Sequence, residues 1–207
     1  HVCFADSPRL MGEAKESVRA GVRACRAHPA VFAFSVANEI PPDIIRWSGT
    51  ERTAAFLDEL AECAKSEDPD CLCTFGNFPP AEFLSCRNMD FACFNVYLHD
   101  TKAFENYLAR LQMIAVEKPL VLGEFGMDSL RESESSQSSL LSGQIESAFR
   151  GGLAGTVVFS FTDDWFKDGE VVGDWAFGLT DAHRNPKPAF AAVREQFRLA
   201  PYFPLPR

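Results

Sequence analysis

The sequence has 207 residues, of which 46% are apolar and 24% are charged, a composition typical of one globular domain with a sizeable core. Its net charge of −9, without a dense Lys/Arg cluster, argues against binding to nucleic acid or to an anionic membrane surface. No apolar stretch approaches the roughly 20 residues that span a bilayer, and the opening HVCFADSPRL does not resemble a signal peptide, which predicts a cytoplasmic location.

Helices and strands are predicted from the period of the apolar residues. In the first helix Val18, Val22 and Cys25 recur at the spacing i, i+4, i+7, which gives one apolar face. Short apolar runs bounded by proline, glycine or polar residues predict strands. In chain order, the predicted elements are a helix over 12–27, a strand over 31–38, a helix over 50–66, a strand over 71–78, a short helix after Pro79-Pro80, a strand over 91–98, a helix over 104–116, a strand over 119–127, a solvated loop or helix start over 129–139, a helix over 140–150, a strand over 155–161 and a helix over 185–197.

The five predicted strands alternate with helices, and each strand is apolar throughout instead of alternating between apolar and polar residues. This pattern indicates an α/β fold with a parallel sheet buried on both faces. Two architectures fit, a doubly wound open sheet and a TIM-type (β/α)8 barrel. No G-x-G-x-x-G motif or P-loop follows any strand, which disfavours a nucleotide-binding open sheet.

The seven cysteines and four histidines lack the paired spacing of a zinc site. The cysteines are therefore interpreted as small buried hydrophobic residues in a reducing compartment. No metal and no cofactor are expected.

Polar or aromatic residues stand at the carboxyl ends of all five predicted strands. In a parallel α/β barrel these ends form one rim, and the active site lies there. Such a pattern on five successive strands predicts a functional site. The residues are Asn38 and Glu39, then Asn77, then Asn95 and Tyr97, then Glu124, and finally TDDW over 162–165.

Among these residues, a barrel would place the carboxylic acids Glu39 and Glu124 across a central cleft. Hydrolysis of a glycosidic bond requires such a pair: one acid protonates the leaving oxygen, and one carboxylate acts at the anomeric carbon. A separation of about 5–5.5 Å makes the second group a nucleophile, whereas about 6.5–9.5 Å leaves room for a water molecule. The sequence predicts the pair but not its separation.

Segments around both acids resemble glycoside hydrolase clan A. HPAVFAFSVANEIP (28–41) is similar to the fourth barrel strand of that clan, which ends in Asn-Glu, and KPLVLGEFGMDS (118–129) is similar to the seventh strand, which carries a lone Glu. FGLTDAHRNPKPAFAAVREQF (177–197) resembles the close of family 2 β-glycosidase catalytic domains. FNVYLHD, YLARLQ and DWAFGLTD are similar to the family-2-like hydrolase domains joined to bacterial family 2 glycosyltransferases.

The resemblance implies a role for each matching residue. Glu39 would be the general acid/base, and Glu124 would be the nucleophile that forms a glycosyl-enzyme. Asn38 would hydrogen-bond the sugar 2-hydroxyl, Tyr97 would donate to Glu124, and Trp165 would form an apolar platform for the sugar in the −1 subsite. Further candidates for sugar contacts are Trp47, Asn77, Asn95, His99, Asp163 and Asp164.

The predicted strands match the fourth to the eighth strands of the barrel, whereas a complete barrel has eight strands in about 250 residues. Residues 1–207 are therefore expected to be the C-terminal part of a (β/α)8-barrel glycoside hydrolase catalytic domain, with strands 1–3 missing. A missing segment, another chain or a dimer partner could complete the barrel. Alone, the five strands would expose two apolar sheet edges.

The leading hypothesis is a retaining β-glycoside hydrolase or transglycosidase that acts on a β-glucan-like or other β-glycoside by double displacement. The alternative is a catalytically silent carbohydrate-binding or scaffold domain that serves a covalently linked polysaccharide glycosyltransferase. A third possibility, an unrelated doubly wound α/β protein, requires Glu39 and Glu124 to lie far apart. The expected partner is a carbohydrate, with neither nucleic acid nor a membrane segment in this chain.

Overall fold

The computed structural model describes residues 3–202. Within this range the chain divides into two compact units, one formed by residues 3–94 and 117–119 and the other by residues 95–116 and 120–202. In each unit helices pack against parallel strands, as an α/β fold requires.

The first unit holds three helices and three strands. β1 pairs in parallel with β2, and β2 pairs in parallel with β3. In register, Phe34 lies opposite Cys73, and Gly76 lies opposite Cys93. The elements are α1 (Pro8–Cys25), β1 (Phe34–Asn38), α2 (Pro42–Ser48), α3 (Thr50–Glu67), β2 (Cys73–Asn77) and β3 (Ala92–Asn95, of which Asn95 belongs to the second unit), with short 3-10 helices over Phe4–Asp6 and Pro79–Ala81.

The core of the first unit forms where α3 packs on β1 and β2. The apolar face predicted for this helix is confirmed, because Phe56, Leu57, Leu60 and Cys63 are all buried. β2 is buried along its whole length. Removing this much apolar surface from water is the main stabilising contribution to the unit.

An ion pair fixes the start of β2. The Lys65 ammonium lies 3.0 Å from Asp90 Oδ1, and the Cys73 N–H donates to Asp90 Oδ2 at 2.7 Å. Burial of Asp90 opposes its ionisation, but the hydrogen bonds from Lys65 and Cys73 hold the pKa of this carboxyl below its usual range. The backbone N–H of Cys73, the first residue of β2, is thereby hydrogen-bonded to a side chain.

The cysteines are mainly core residues, and all seven are free. Cys63, Cys71, Cys73 and Cys86 are buried, which confirms the interpretation of these four as small hydrophobic residues. Burial raises the pKa of the Cys86 thiol to about 12, so it stays protonated at neutral pH. The interpretation is wrong for Cys25, which is exposed at the end of α1.

The second unit carries the remaining helices and strands. β4 pairs in parallel with β5, with Val121 opposite Gly155 and Phe125 opposite Val158. α6 packs along α7 and on β5, and its Leu141 and Ile145 are fully buried. The elements are α4 (Thr101–Ala115), β4 (Leu120–Phe125), α5 (Ser129–Glu132), α6 (Glu134–Arg150), β5 (Gly155–Val158), the antiparallel pair β6 (Phe166–Lys167) and β7 (Glu170–Val171), and α7 (Pro188–Leu199).

Several predicted boundaries shift for local reasons. The stretch 129–139 is helical, because the side chain of Asp128 caps α5 and that of Ser133 caps α6. Likewise, α1 begins at Pro8 instead of residue 12, since the Ser7 side chain accepts from the Leu10 N–H. The helix α2 and the hairpin β6–β7 were not predicted, because each is too short to show a period.

The prediction that every strand is buried on both faces is wrong for β1 and β5. Phe32, just before β1, is 70% exposed, and Val157 of β5 is 57% exposed. Among the described residues, β1 has a strand partner within its unit only in β2, and β5 only in β4. A strand paired on one side leaves apolar side chains and backbone groups accessible to water.

Across residues 3–202, no helix combines the length and the apolar character that a membrane span requires.

Candidate active site

Glu39 directly follows β1 and has a left-handed backbone conformation with a φ of +46°. A residue other than glycine in this region costs of order 1–3 kcal/mol, so it persists only where the surroundings hold it. The Glu39 N–H donates a 2.8 Å hydrogen bond to the Gly76 carbonyl oxygen of β2, and the next residue, Ile40, is buried. The half-buried Glu39 side chain therefore leaves the strand from a fixed, strained turn, which is a frequent property of functional residues.

The other candidates in the first unit differ in accessibility. Asn38, the last residue of β1, is exposed beside Glu39. Asn77 ends β2 but is buried, with its amide nitrogen donating to the Leu84 carbonyl at 3.3 Å and its amide oxygen accepting from the Phe78 N–H at 2.8 Å. Trp47 on α2 is 76% exposed. The roles of these residues in sugar binding stay predictions.

In the second unit, Glu124 near the end of β4 is bonded to Tyr97. The Tyr97 hydroxyl donates a 2.9 Å hydrogen bond to Glu124 Oε2, as the resemblance implied. The Val96 N–H donates to the Glu124 carbonyl oxygen at 2.8 Å, which places the chain after β3 alongside the end of β4. Glu124 is half-buried, so its hydrogen-bonded carboxylate has partial access to solvent. A donated hydrogen bond favours the ionised form of a carboxylate.

Two phenylalanines hold the Tyr97 ring. Phe159 and Phe177 meet it edge-on, with ring centroids 6.2 and 6.1 Å away and interplanar angles of 87° and 86°. Edge-to-face pairs of this kind stabilise by about 0.5–1.5 kcal/mol beyond the area they bury. Gly126 lies so close to the Phe159 carbonyl oxygen that an added Cβ would overlap it, so the glycine allows the ends of β4 and β5 to approach this closely. The orientation of the Tyr97 hydroxyl is thus set by packing as well as by its hydrogen bond.

The aromatic cluster continues to two tryptophans. Phe159 contacts Trp165 at 5.9 Å and Trp175 at 5.3 Å, and the two indoles lie 4.6 Å apart. Trp175 also packs on Phe177 at 5.0 Å. Trp165 is 42% exposed, so one side of the cluster faces solvent.

Asp163 and Asp164 have structural partners. Asp163 forms an ion pair with Lys187, with Lys187 Nζ 2.7 Å from Asp163 Oδ2, and it also accepts the Gly178 N–H at 2.7 Å. Asp164 forms a 3.0 Å ion pair with Arg184. Both carboxylates therefore anchor the segment that precedes Trp165.

Lys187 and Gln137 hold the chain that follows Trp175. Lys187 Nζ also donates to Ser129 Oγ at 3.0 Å and to the Ala176 carbonyl at 3.3 Å. The fully buried Gln137 donates from Nε2 to the Met127 carbonyl at 3.0 Å and lies within reach of the carbonyls of residues 176–178. The chain on either side of Trp165 and Trp175 is thereby fixed to the loop that follows Glu124.

Asn95 and His99 flank Tyr97 in sequence. Asn95 is 2% exposed, whereas His99 is exposed. The described residues contain no group of three or more His, Cys, Asp or Glu side chains arranged to hold a metal ion.

A family model for the TIM barrel domain of glycosyl hydrolases family 2 matches residues 2–200. The chain belongs to this family. The predicted membership of glycoside hydrolase clan A is thereby confirmed. A search of curated proteins found no match.

Solved structures agree on the fold of this family 2 domain. It is similar to a Bifidobacterium dentium β-glucuronidase, with 19% identity over 94% of this chain and 34% of the other, at a TM-score of 0.76. A family 2 β-galacturonidase from Eisenbergiella tayi matches with 22% identity over 92% of this chain and 37% of the other, at a TM-score of 0.74. The enzyme GH5_18 from Streptomyces cattleya matches with 18% identity over 97% of this chain and 56% of the other, at a TM-score of 0.79.

These likenesses confirm the prediction of a TIM-barrel-type α/β fold. At this level of identity they establish the fold alone. The family 2 domain spans about a third of the length of the β-glucuronidase and β-galacturonidase chains that it matches.

Sequence reasoning missed three rings of the family 2 domain, Phe159, Trp175 and Phe177, and the buried Lys187. Phe159 comes directly after β5. On the other strands, polar residues at the carboxyl end of the strand were predicted as site residues. Phe159 was overlooked because an aromatic residue at the end of an apolar run looks like part of the strand. Lys187 carries no local signal, since only the tertiary fold brings it to Asp163.

Replacing Tyr97 with phenylalanine is expected to lower kcat by about 10- to 100-fold, the equivalent of one hydrogen bond of about 1.5–3 kcal/mol to a charged group. Steady-state kinetics measures the loss. The control is Tyr107→Phe on α4 in the same unit, and an equal effect of the two substitutions would contradict a specific role for Tyr97.

Proposed function

We propose that this family 2 domain supplies the two catalytic carboxyl groups of a retaining β-glycoside hydrolase, Glu39 as general acid/base and Glu124 as nucleophile. The observation that carries the proposal is the 2.9 Å hydrogen bond from the Tyr97 hydroxyl to Glu124 Oε2. It orients the carboxylate at the end of β4 and favours its ionised form, which is the state that a nucleophile requires. The strained backbone of Glu39 at the end of β1 provides separate support.

In the first chemical step, a Glu124 oxygen attacks the anomeric carbon while the bond from that carbon to the leaving oxygen breaks. Glu39 gives its proton to the leaving oxygen, which departs as an alcohol. The products of this step are a glycosyl ester on Glu124 and an ionised Glu39.

In the second step, the ionised Glu39 takes a proton from water as the water oxygen attacks the anomeric carbon. The ester bond to Glu124 breaks, and both side chains return to their starting states. Each step inverts the anomeric carbon, so the overall result is retention. An acceptor alcohol in place of water gives transglycosylation by the same route.

The remaining predicted residues would bind the sugar. Asn38, exposed beside Glu39, would hydrogen-bond the 2-hydroxyl, a contact that strengthens in the transition state. Phe159 packs against Tyr97 and would provide the apolar platform of the −1 subsite, the role that the resemblance implied for Trp165. Asn77, Asn95 and Trp47 complete the proposed set.

The proposed substrate is a β-glucan-like or other β-linked glycoside. We also propose that the strands β1–β5 are the fourth to eighth strands of a (β/α)8 barrel, because the acid/base motif follows β1 and the nucleophile motif lies in β4. The structural neighbours include a β-glucuronidase and a β-galacturonidase. Their names support glycoside hydrolysis without fixing the sugar.

The anomeric form of the first product tests the mechanism. Full-length protein is incubated with aryl β-glycosides of several sugars, and proton NMR follows the product before mutarotation. We expect the β-anomer to appear first, as double displacement requires. Initial appearance of the α-anomer would show inversion and remove the nucleophile assignment. Sugar binding without turnover of any aryl β-glycoside would favour the catalytically silent carbohydrate-binding domain.

A further inference from the structure

The hairpin β6–β7 brings two tryptophans together at its base. Trp165 immediately precedes β6, and Trp175 lies four residues after β7. The Val172 N–H donates to the Trp165 carbonyl oxygen at 2.8 Å, which closes the hairpin below its two strands. The indole centroids are then 4.6 Å apart with planes inclined by 35°, so the pair forms one continuous aromatic surface.

This surface lies one ring further from Glu124 than Phe159 does. Tyr97, which bonds Glu124, makes ring contacts with Phe159 and Phe177, at 6.2 and 6.1 Å. Among the ring contacts of the described residues, Trp165 packs on Phe159 at 5.9 Å and Trp175 packs on Phe177 at 5.0 Å, so each indole contacts a ring that meets Tyr97. Trp165 is 42% exposed, so this aromatic surface is open to solvent beside the rings that hold Tyr97.

We propose that Trp165 and Trp175 form an outer subsite that binds a second sugar residue of a neutral β-linked oligosaccharide; this inference rests on the proposed glycosidase function. The flat face of an indole offers apolar contact to the C–H face of a pyranose, while the sugar hydroxyls remain directed to polar groups at the edge. Ligand sites commonly combine such aromatic surfaces with a few convergent polar groups.

Charge on the hairpin favours a neutral sugar. Asp168, Glu170 and Asp174 are exposed there, against a single lysine, Lys167. These side chains line a shallow depression of ≈ 440 Å³ on the hairpin β6–β7. Carboxylates accept hydrogen bonds from sugar hydroxyls, whereas they repel the carboxylate of a uronic acid. The outer subsite therefore fits a neutral oligosaccharide better than a polyuronide.

The subsite is rigid before ligand arrives. Asp163 and Lys187 fix the chain before Trp165, and the bonds that the Ala176 carbonyl accepts from Lys187 and Ser129 fix the chain after Trp175. An aromatic surface held in this way loses little conformational entropy on binding, which increases affinity.

The experiment compares a substrate confined to the −1 subsite with one that extends beyond it. Full-length protein is assayed with β-glycosyl fluorides, which carry only a fluorine as leaving group, and with the matching neutral β-linked tetrasaccharides of the gluco, manno and galacto series. For Trp165→Ala, we expect kcat/KM on the tetrasaccharide to fall at least 10-fold more than on the fluoride. Trp165→Phe should restore most of the difference, and Phe197→Ala, an exposed aromatic on α7, should leave both values unchanged.

Equal losses on both substrates in Trp165→Ala would place this indole at the −1 sugar and overturn the outer subsite. Binding is measured separately, by calorimetry with the same tetrasaccharides in the Glu124→Gln background. There, Trp165→Ala should weaken tetrasaccharide binding at least 10-fold, and unchanged affinity would again overturn the inference. If no fluoride or tetrasaccharide is hydrolysed but binding depends on Trp165, the proposed catalysis fails while the subsite stands.

Discussion

Glu124→Ala is expected to lower kcat by about 10⁴-fold or more on every substrate of this protein, because in the proposed mechanism it removes the atom that bonds to the anomeric carbon. The loss should fall on kcat with both good and poor leaving groups, since no glycosyl-enzyme can form. Tyr97 would keep its place between Phe159 and Phe177, so the change is confined to the carboxylate. Initial rates measure the loss of catalysis, and circular dichroism shows whether the variant still folds.

Added azide makes this test specific. In Glu124→Ala, azide would attack the anomeric carbon directly, and the single displacement would yield the α-glycosyl azide. In Glu39→Ala, the glycosyl-enzyme still forms, so azide would release the β-glycosyl azide after two displacements. Glu132→Ala, an exposed acid on α5, serves as the control and should retain wild-type rates. Full activity of Glu124→Ala would contradict the assignment of Glu124 as nucleophile. The same anomer of the glycosyl azide from Glu124→Ala and Glu39→Ala would also contradict it.

The ends of the strands could be predicted from the sequence because they depend on the local order of apolar residues, polar residues and prolines. Asn38-Glu39 stands between an apolar run and two prolines, so the strand has to stop there, and β1 does end at Asn38. Glu124 lies inside an equally apolar run, where an acid is costly without a partner. Its hydrogen bond from Tyr97 satisfies this requirement.

The features that the sequence did not show depend on tertiary placement. The exposure of Phe32 and Val157 follows from which strands lie beside β1 and β5, and an apolar run looks the same whether one or both sides are paired. Trp165 and Trp175 are ten residues apart and meet only because a hairpin too short to show a period folds between them. The proposed outer subsite therefore depends on contacts that composition and spacing do not encode.

Lys187→Met is expected to destabilise the protein by about 3–5 kcal/mol, the usual cost of removing one member of a buried ion pair. Lys187 has a side chain only 5% exposed, and its ammonium group serves Asp163, Ser129 and the Ala176 carbonyl together. Methionine keeps the apolar stem but leaves the Asp163 carboxylate, 14% exposed, without its cation. Equilibrium unfolding in urea measures the loss, and Lys167→Met on the exposed hairpin should stay within about 0.5 kcal/mol of the wild type.

A double substitution distinguishes the ion pair from simple packing. In Lys187→Met with Asp163→Leu the uncompensated charge is gone, so the double variant should be less destabilised than the sum of the two single variants. Additive losses would mean that Lys187 acts only through Ser129 and the Ala176 carbonyl. Asp163 and Lys187 both hold the segment that carries Trp165 and Trp175. In the Lys187→Met variant, the tryptophan side-chain resonances should therefore also be broader in NMR spectra of the folded protein. A loss of stability without that broadening would show that the ion pair does not order the aromatic surface.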